Sequence, residues 1–394
     1  MFPKGALDGL TVLDLSRILA GPTCTQLLGD LGAEVIKIEN PKTGGDDTRA
    51  WGPPFVEGVD GQQTDLSSYF MSANRNKLSV AADIATDEGQ TLVKALAARA
   101  DVVIENFKPG GLEKYGLDHD SLLALHPGLV YCSISGFGQT GPNRDKPGYD
   151  LMAQGYGGIM SLTGEPDGQP MKVAVGVADV VCGLYATVGI LSALRHRDQT
   201  GEGQHIDVAL VDTQVSWLIN EGVAHLTTGK PRARRGNQHA TIVPYQTFAC
   251  SDGHVIVAVG NDSQYERFCE FLGRPELAEG ANAINANRVE NRDSLIPELE
   301  AEMAKRRMAE VVAGLEARKV PVGPVNRLEQ VFATDQVAAR GMKIEMARED
   351  VAGKEVSLIG NPLNLSKTPV SYRRAPPRFG QDTAQVLDRL RKPE

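Results

Sequence analysis

Asp179 is the only charged residue in an almost wholly apolar run, residues 173–194. The pattern predicts that it lies where a loop enters a helix. The simplest interpretation is an N-cap, because an aspartate there binds free backbone N–H groups and suits the helix dipole. A carboxylate at such a position is expected to stay ionised, and in a dry pocket it is a usable nucleophile. The two interpretations are compatible, so Asp179 is a candidate for covalent catalysis.

Other patterns that carry chemistry are weaker. A G-x-G-x-x-G at residues 136–141 follows a strand, but the dinucleotide fingerprint needs a helix directly after its last glycine. Pro142 and Pro147 disfavour that helix, so we predict a loop and disfavour NAD. The histidines form no triad or zinc pair, and no G-x-S-x-G is present. The five cysteines lack zinc or disulfide spacing. We therefore expect no bound metal, no serine hydrolase and a reducing, cytoplasmic location.

Alternating strands and helices must position Asp179. We predict strands at residues 10–15, 34–39, 102–105 and 129–135, and helices at 22–32, 87–99 and 118–125. This alternation predicts a parallel sheet covered on both faces. Beyond a basic stretch, a turn at 251–253 predicts an antiparallel hairpin, and three helices follow it. The sequence therefore predicts a large Rossmann-like α/β domain over residues 1–220 and 331–394, with a smaller α+β domain over 225–330.

Composition excludes several classes of function. The 394 residues carry 41 Lys and Arg against 50 Asp and Glu, a net charge of −9, which argues against coating nucleic acid or an anionic membrane. The apolar run is not expected to span a membrane, because Asp179 would cost a few kcal/mol in a bilayer. Its helical part is also only about 15 residues, against about 20 needed. We expect a helix buried on all sides.

Seven motifs occur in an order that resembles a known family. They are residues 12–22 (VLDLSRILAGP), 31–39 (LGAEVIKIE), 74–77 (NRNK), 105–110 (ENFKPG), 148–150 (GYD), Asp179 with Gly183, and 319–324 (KVPVGP). Together they resemble the class III (CaiB/BaiF-type) CoA-transferases over essentially the whole chain. Residues 46–55 (DDTRAWGPPF) and 242–246 (IVPYQ) are most similar to the succinate–hydroxymethylglutarate (glutarate) CoA-transferase subgroup.

The resemblance implies that Asp179 is a nucleophile and that coenzyme A is a substrate, with no permanently bound cofactor. The carboxylate attacks an acyl-CoA, expected to be succinyl-CoA, to give a mixed anhydride and free CoA thiolate. The thiolate then forms an aspartyl-CoA thioester, and a small carboxylic acid, expected to be a dicarboxylic one, takes the CoA by the same steps reversed. Tyr149 and Asp150 are expected to lie near the thioester. The resemblance also implies an interlocked homodimer.

The resemblance further implies a CoA site, position by position. Lys114 stands where relatives often have a phosphate-binding arginine, so the charge is kept but the bidentate fork is lost. Since the chain is acidic, binding of the anionic CoA must depend on a few local cations, Lys108 and Lys114 foremost. The expected CoA contacts are Arg17, Ile18, Leu19, Ala20, Asn40, Ala82, Ala85, Asn106, Phe107, Lys108 and Lys114. The candidates for holding a distal substrate carboxylate are Arg17, Arg49, Arg75, Arg234, Arg235 and His239.

Departures from relatives narrow the expected reaction. Leu19 replaces a glutamine of the formyl-CoA enzymes, and residues 236–239 (GNQH) replace their run of glycines, which argues against oxalate. The same fold hosts α-methylacyl-CoA racemases, whose partner base is a histidine where this chain has Tyr149. A tyrosine with a pKa near 10 removes an α-proton poorly at neutral pH. The transferase is therefore favoured, a racemase is the alternative, and a CoA- or NAD-binding scaffold without turnover is a third possibility.

Overall fold

Residues 4–392 are described by a computed structural model, and they divide into two compact units. The first unit contains the described residues before Met160, the segment Lys172–Lys230 and the described residues after Thr334. The second unit contains Pro231–Thr334 together with Met160–Met171, a segment that the sequence analysis assigned to the large domain. The chain therefore leaves the first unit twice and returns to it twice.

A six-stranded, all-parallel sheet forms the centre of the first unit. From edge to edge its strands are Lys77–Ala81, Glu34–Glu39, Thr11–Asp14, Val102–Glu105, Val130–Ser135 and Gln204–Ala209. The predicted α/β class and the four predicted strands are confirmed. The two edge strands were missed, because both carry polar side chains where a buried parallel strand is normally a continuous apolar run. In Lys77–Ala81, the buried Lys77 and Ser79 side chains bond to groups inside the protein.

Helices cover both faces of this sheet. Ala20–Asp30 and Val177–Thr200 pack on one face, and Asp87–Ala97, His119–Leu125 and Thr383–Arg391 pack on the other. The last of these also protects an edge of the sheet, because Asp382 Oδ2 and Thr383 Oγ1 accept from the Ser79 and Ala81 N–H groups. The remaining strands and helices of the first unit are Phe55–Glu57, Gln63–Ser67, Ser68–Ser72, Asp150–Tyr156, Leu210–Ser216, Ile219–Thr228, Asp335–Ala339, Lys343–Ala347 and Glu355–Ile359.

The helix Val177–Thr200, called the Asp179 helix below, is longer and less buried than predicted. Its 24 residues make it long and apolar enough to cross a bilayer by length and composition alone. One face, with Ala186 and Ile190, packs into the core of the first unit beside the helix Ala20–Asp30. The opposite face leaves Leu184 46% and Val188 61% exposed. The predicted burial of this helix is therefore confirmed for the face that packs into the core, and the opposite face is exposed in the single chain.

The second unit is built on a three-stranded antiparallel sheet. Its strands are, in order, Val322–Pro324, Gly253–Ala258 and Tyr245–Cys250. The predicted hairpin is confirmed, and Asp252 in its turn accepts from the Met308 N–H, which fixes the start of a helix. The three predicted helices are present within two residues of their expected ends. The helices of this unit are Asp262–Leu272, Asn285–Glu290, Arg292–Met303, Met308–Ala317 and Leu328–Phe332.

Candidate active site

Two cavities lie at the carboxyl ends of the parallel strands. The strand Thr11–Asp14 has Glu34–Glu39 on one side and Val102–Glu105 on the other, so the direction in which strands are added reverses there. In open α/β sheets, the crevice outside the carboxyl ends at such a point is the usual ligand site. The cavities are lined by residues that follow each of these three strands. Arg17, Phe107 and Gly111 line both cavities.

The first cavity, called the Asp179 cavity below, has a volume of about 380 Å³. It brings Asp179 together with Tyr149 and Asp150, the two residues expected beside it. It also contains seven of the eleven residues that the resemblance implied as CoA contacts. These are Arg17, Ile18, Leu19, Ala20, Asn106, Phe107 and Lys108.

The second cavity, called the Asn40 cavity below, has a volume of about 310 Å³. Its walls come from the segments after the strands Glu34–Glu39 and Lys77–Ala81 and from the loop after Val102–Glu105. The remaining expected CoA contacts lie here, namely Asn40, Ala82, Ala85 and Lys114, with Arg17 and Phe107 again. The eleven expected contacts therefore line two cavities that share part of their walls.

Asp179 is the third residue of its helix and is 9% exposed. The predicted N-cap role of Asp179 is wrong. The N-cap residue is Gly176, which has no side chain that could cap the helix. Burial, together with the nearby charge of Asp150, raises the pKa of Asp179 to about 7. The expectation that helix-end N–H groups keep it ionised is therefore wrong as well. Both protonation states of Asp179 are accessible near neutral pH.

Asp150 caps the N-terminus of the Asp179 helix, the role that the sequence analysis gave to Asp179. Its Oδ1 accepts from the Ala178 N–H at 2.8 Å, so it caps the Asp179 helix from outside that helix. Its Oδ2 accepts from Gln154 Nε2 at 2.8 Å. Both carboxylate oxygens of Asp150 therefore have a hydrogen-bond donor. The sequence contained no signal for this, because residues 150 and 178 lie far apart along the chain.

The turn after the strand Thr11–Asp14 is held in a strained conformation. Ile18 has a φ of 72°, which is rare for a β-branched residue. Its N–H donates to both oxygens of Asp46 at 3.2 Å, and the fully buried Asp46 carboxylate pairs with Lys37 Nζ at 2.9 Å. Asn106 binds the Arg17 backbone at both its N–H and its carbonyl, at 2.9 and 2.7 Å. The turn that lines the Asp179 cavity is therefore fixed before any ligand arrives.

Close packing brings this turn next to the Asp179 helix. A Cβ added at Gly183 would lie 2.6 Å from the Ala20 carbonyl oxygen and 3.1 Å from Thr23 Cβ. Only glycine allows the two helices to approach so closely. Gly183 therefore permits a close contact between the Asp179 helix and the backbone at Ala20.

Three exposed cations line the Asp179 cavity, Arg17, Lys108 and Lys146. Arg17 pairs with Asp47 at 2.7 Å, a contact open to solvent. Lys146 was missed by the sequence analysis. It lies in the loop that follows Gly136, and this loop is confirmed, since residues 136–149 contain no helix or strand. Within residues 4–392, no group of three or more His, Cys, Asp or Glu side chains could hold a metal ion.

Tyr69 is a second residue that the sequence analysis missed. Burial raises its pKa, and the charges of Asp179, Asp150 and Asp46 raise it further, so its hydroxyl lies in the electric field of the carboxylates. Its ring packs edge-on against the exposed Trp51, with centroids 5.3 Å apart. The motif at residues 46–55 contains Trp51, but nothing in the sequence linked it to Tyr69.

Arg49 and Arg75 are structural residues and not candidates for binding a substrate carboxylate. Arg49 is 4% exposed, makes a bidentate pair with Glu39 at 2.8 Å and a further pair with Asp65 at 2.8 Å. Arg75 is 3% exposed, pairs with Asp30 and donates to the Ile359 carbonyl at 2.8 Å. Their donors are satisfied inside the protein, which corrects the expectation from sequence.

The other three carboxylate candidates lie in the second unit. Arg234 donates to the backbone carbonyls of Glu165 and Gly168, so it stabilises the loop before Met171. The charge of Arg235 adds to burial in lowering the pKa of Arg292. His239 Nδ1 accepts from the Thr241 N–H at 3.2 Å, and its ring lies 5.1 Å from that of Tyr245. All of these contacts are made with residues of the same unit.

Fold and site together define the class of protein. Residues 7–383 match the model of CoA-transferase family III, and the chain belongs to this family of enzymes. A succinate–glutarate CoA-transferase of Agrobacterium fabrum is 47% identical over 98% of this chain and 96% of its own length. A succinyl-CoA:glutarate CoA-transferase of Mus musculus is 41% identical over 97% of this chain and 85% of its own. The crystal structure of a CaiB/BaiF family protein from Brucella suis superposes with a TM-score of 0.89, at 47% identity, over 98% of this chain and all of that one.

Proposed function

We propose that this protein transfers CoA from succinyl-CoA to glutarate or a similar small dicarboxylate, with Asp179 as the covalent nucleophile. The observation that carries the proposal is the burial of Asp179 in a cavity that shares Arg17, Phe107 and Gly111 with a second cavity. An extended ligand can occupy both. The names of the glutarate-specific relatives support the choice of substrates.

The CoA is proposed to run from the Asn40 cavity to the Asp179 cavity. The adenine end would lie between Ala82, Ala85 and Phe107, and Lys114 and Arg17 are the cations nearest to its phosphates. The pantetheine arm would pass Gly111 and Asn106, bringing the thioester to Asp179. Lys108 and Lys146 are exposed cations at this inner end and are the candidates for the distal carboxylate of the acid.

The proposed chemistry needs no group other than the chain and its substrates. The Asp179 carboxylate attacks the thioester carbonyl, and the CoA thiolate leaves, which gives a mixed succinyl–aspartyl anhydride. The thiolate attacks the aspartyl carbonyl and releases succinate, so that CoA is held as an aspartyl thioester. The acceptor carboxylate attacks this thioester to form a second anhydride and thiolate. Attack of the thiolate on the acceptor carbonyl then releases the new acyl-CoA and free Asp179.

Two features of the site support this route. Ala20, the first residue of the helix Ala20–Asp30, lines the cavity, and this helix has no side-chain cap among the described residues, so the N–H of Ala20 is proposed to stabilise an oxyanion. The anhydride is sensitive to water, and the burial of Asp179 beside Leu19 and Leu210 limits access of water to it. Asp150 and Tyr149 complete the wall around the reacting atoms.

We also propose that the protein forms a homodimer, in the interlocked form that the family resemblance implies. The helix Ile219–Thr228 buries none of its residues within the described chain, although its apolar side chains recur at helical spacing. Sedimentation as a monomer at micromolar concentration would contradict this. Exposed large apolar side chains on or next to the helices Asp150–Tyr156, Val177–Thr200, Leu210–Ser216 and Ile219–Thr228 are Leu151, Met152, Tyr156, Leu184, Val188, Val215, Trp217, Ile219, Val223 and Leu226.

The five cysteines are all free, which fits a reducing cytoplasm.

The function is tested by incubating the protein with succinyl-CoA and separate acids, and following acyl-CoA species by mass. We expect glutaryl-CoA to form from glutarate, with monocarboxylates of the same length reacting at least about 10-fold more slowly, because they lack the distal charge. A racemase would instead introduce solvent deuterium at the α-carbon of a branched acyl-CoA without making a new one. Binding of CoA with neither reaction would leave only a scaffold and contradict the proposal.

The transfer rate is expected to depend on pH through Asp179. Since its pKa is about 7 and the ionised form is the nucleophile, kcat/KM for succinyl-CoA should fall as pH decreases through 7. Asp150→Asn removes a neighbouring negative charge, so the midpoint of this acid limb should move to lower pH. Asp198→Asn, at the far exposed end of the same helix, is the control and should leave the midpoint unchanged. A midpoint unaffected by Asp150→Asn would exclude this coupling.

A further inference from the structure

Gln154 connects Asp150 to the segment that leads into the Asp179 helix. It lies on the helix Asp150–Tyr156, is fully buried, and uses both ends of its amide. Its Nε2 donates to Asp150 Oδ2 at 2.8 Å, and its Oε1 accepts from the Val173 N–H at 2.8 Å. Asp150 Oδ1 in turn accepts from the Ala178 N–H at 2.8 Å. Two hydrogen bonds therefore join the two ends of the segment 173–178 to one helix, and the third links the two residues of that helix that accept them.

We propose that Gln154 is a positioning residue for the transfer reaction, acting through Asp150 and through the segment 173–178 on the orientation of Asp179. The proposal rests on the function given above, in which Asp179 is the nucleophile. Gln154 lines neither the Asp179 cavity nor the Asn40 cavity, so it is placed to affect the nucleophile without touching CoA.

The segment before Asp179 depends on this anchor. Ala174 and Val175 are exposed, and Val175 keeps 64% of its surface in solvent, so apolar packing does little to hold the segment. The bond from Val173 to Gln154 and the bond from Ala178 to Asp150 hold its two ends. A displacement of about 1 Å at a reacting group can cost roughly 100-fold in rate. Loosening this anchor should therefore lower kcat.

The amide of Gln154 also fixes the place of a charged group. Its Nε2 donates to Asp150 Oδ2, so it holds that carboxyl group beside Asp179. The charge of Asp150 is one of the two causes that raise the pKa of Asp179 to about 7. A change at Gln154 should thus be visible in the pH dependence of the reaction, which a purely structural residue would not alter.

Gln214 offers a matched control. It is fully buried, like Gln154, and packs beneath the C-terminal end of the same helix, where a Cβ on Gly157 would lie 2.5 Å from Gln214 Cβ. Among the described residues its side-chain nitrogen and oxygen have no hydrogen-bond partner. Gln214→Leu therefore removes a buried amide of the same size without removing a hydrogen bond, and should not be costly.

The first test is a double-mutant cycle that measures succinyl-CoA:glutarate exchange. Gln154→Leu should lower kcat about 30–100-fold with KM for succinyl-CoA within about 2-fold of wild type, because the anchor is lost and the CoA cavities are intact. Gln214→Leu should keep kcat within about 2-fold. In the Asp150→Asn background, Gln154→Leu should cost less than it does in the wild-type background, because the part of its effect that acts through Asp150 is already lost. Independent effects, or equal effects of the two Gln→Leu changes, would overturn the proposal.

A second variant keeps the test decisive if Gln154→Leu does not fold. Gln154→Glu preserves the shape and the acceptor for the Val173 N–H but places another negative charge beside Asp150. The midpoint of the acid limb should then move to higher pH, opposite to the shift from Asp150→Asn. A pH profile that superimposes on that of wild type would overturn the proposal. Absence of exchange by the wild-type protein would refute the proposed function instead, so the two failures are distinguishable.

Discussion

Asp179→Ala is expected to abolish CoA transfer, lowering kcat/KM for succinyl-CoA by at least about 10⁴-fold, because no other carboxylate can replace the covalent nucleophile. Asp150 is held by the Ala178 N–H and by Gln154, so it is not free to substitute. The Asn40 cavity does not include Asp179, so CoA should bind with an affinity within a few-fold of wild type. Mass-detected exchange and calorimetric titration with CoA measure the two quantities.

Two controls separate loss of the nucleophile from loss of the fold. Asp179→Ala removes a buried carboxylate whose pKa is raised, so its ionised form is disfavoured in the folded protein. Above pH 7 the variant should therefore be as stable as wild type or more stable. Hydroxylamine should trap a hydroxamate at residue 179 in the wild-type protein in the presence of succinyl-CoA. Substantial transfer by Asp179→Ala, or a hydroxamate elsewhere, would refute the covalent route.

Arg49→Met is expected to destabilise the first unit by about 3–5 kcal/mol, because it leaves the buried Glu39 carboxylate without its bidentate partner. Asp65 and the Pro377 carbonyl each lose a donor as well. The guanidinium also lies 3.7 Å from the centroid of Phe70, a cation–π contact that the variant loses. Urea denaturation followed by tryptophan fluorescence measures this, since Trp51 and Trp217 both belong to the first unit.

Arg17→Met is expected to affect substrate binding and not stability, the opposite of Arg49→Met. Arg17 pairs with Asp47 at an exposed position, and such pairs contribute at most about 1 kcal/mol. This variant should keep the stability of wild type and raise KM for succinyl-CoA, whereas Arg49→Met, assayed well below its unfolding temperature, should leave KM for glutarate unchanged. A large rise of KM for glutarate in Arg49→Met would restore Arg49 as a substrate ligand.

Much of the first unit could be predicted because its central strands are apolar runs separated by helices with clear ends. Strand Glu34–Glu39 and helix Asp87–Ala97 are of this kind. Strand Lys77–Ala81 could not be predicted in the same way, since it contains Lys77 and Ser79. Their buried side chains form hydrogen bonds with groups elsewhere in the chain. A local pattern contains no information on such distant partners.

The same lack of information on distant partners explains why the sequence indicated some candidate site residues and misassigned others. Asp179 stood out because it is alone among apolar residues, and the CoA contacts followed from motif order. Arg49 resembled a ligand because a sequence shows a cation but not the Glu39 that binds it. Asp150 and Gln154 accept hydrogen bonds from backbone N–H groups that lie 28 and 19 positions further along the chain. No rule based on sequence spacing predicts such contacts.

The edge of the sheet covered by Asp382 and Thr383 has a consequence for biosynthesis. The strand Lys77–Ala81 is translated roughly 300 residues before the segment that covers it. At about 5–20 residues per second, that edge stays unpaired on the ribosome for roughly 15–60 s. Unpaired strand edges are templates for aggregation. Nascent chains of this enzyme should therefore be chaperone clients until the last helix emerges, and tags fused near that helix should depress soluble yield more than tags at the opposite end.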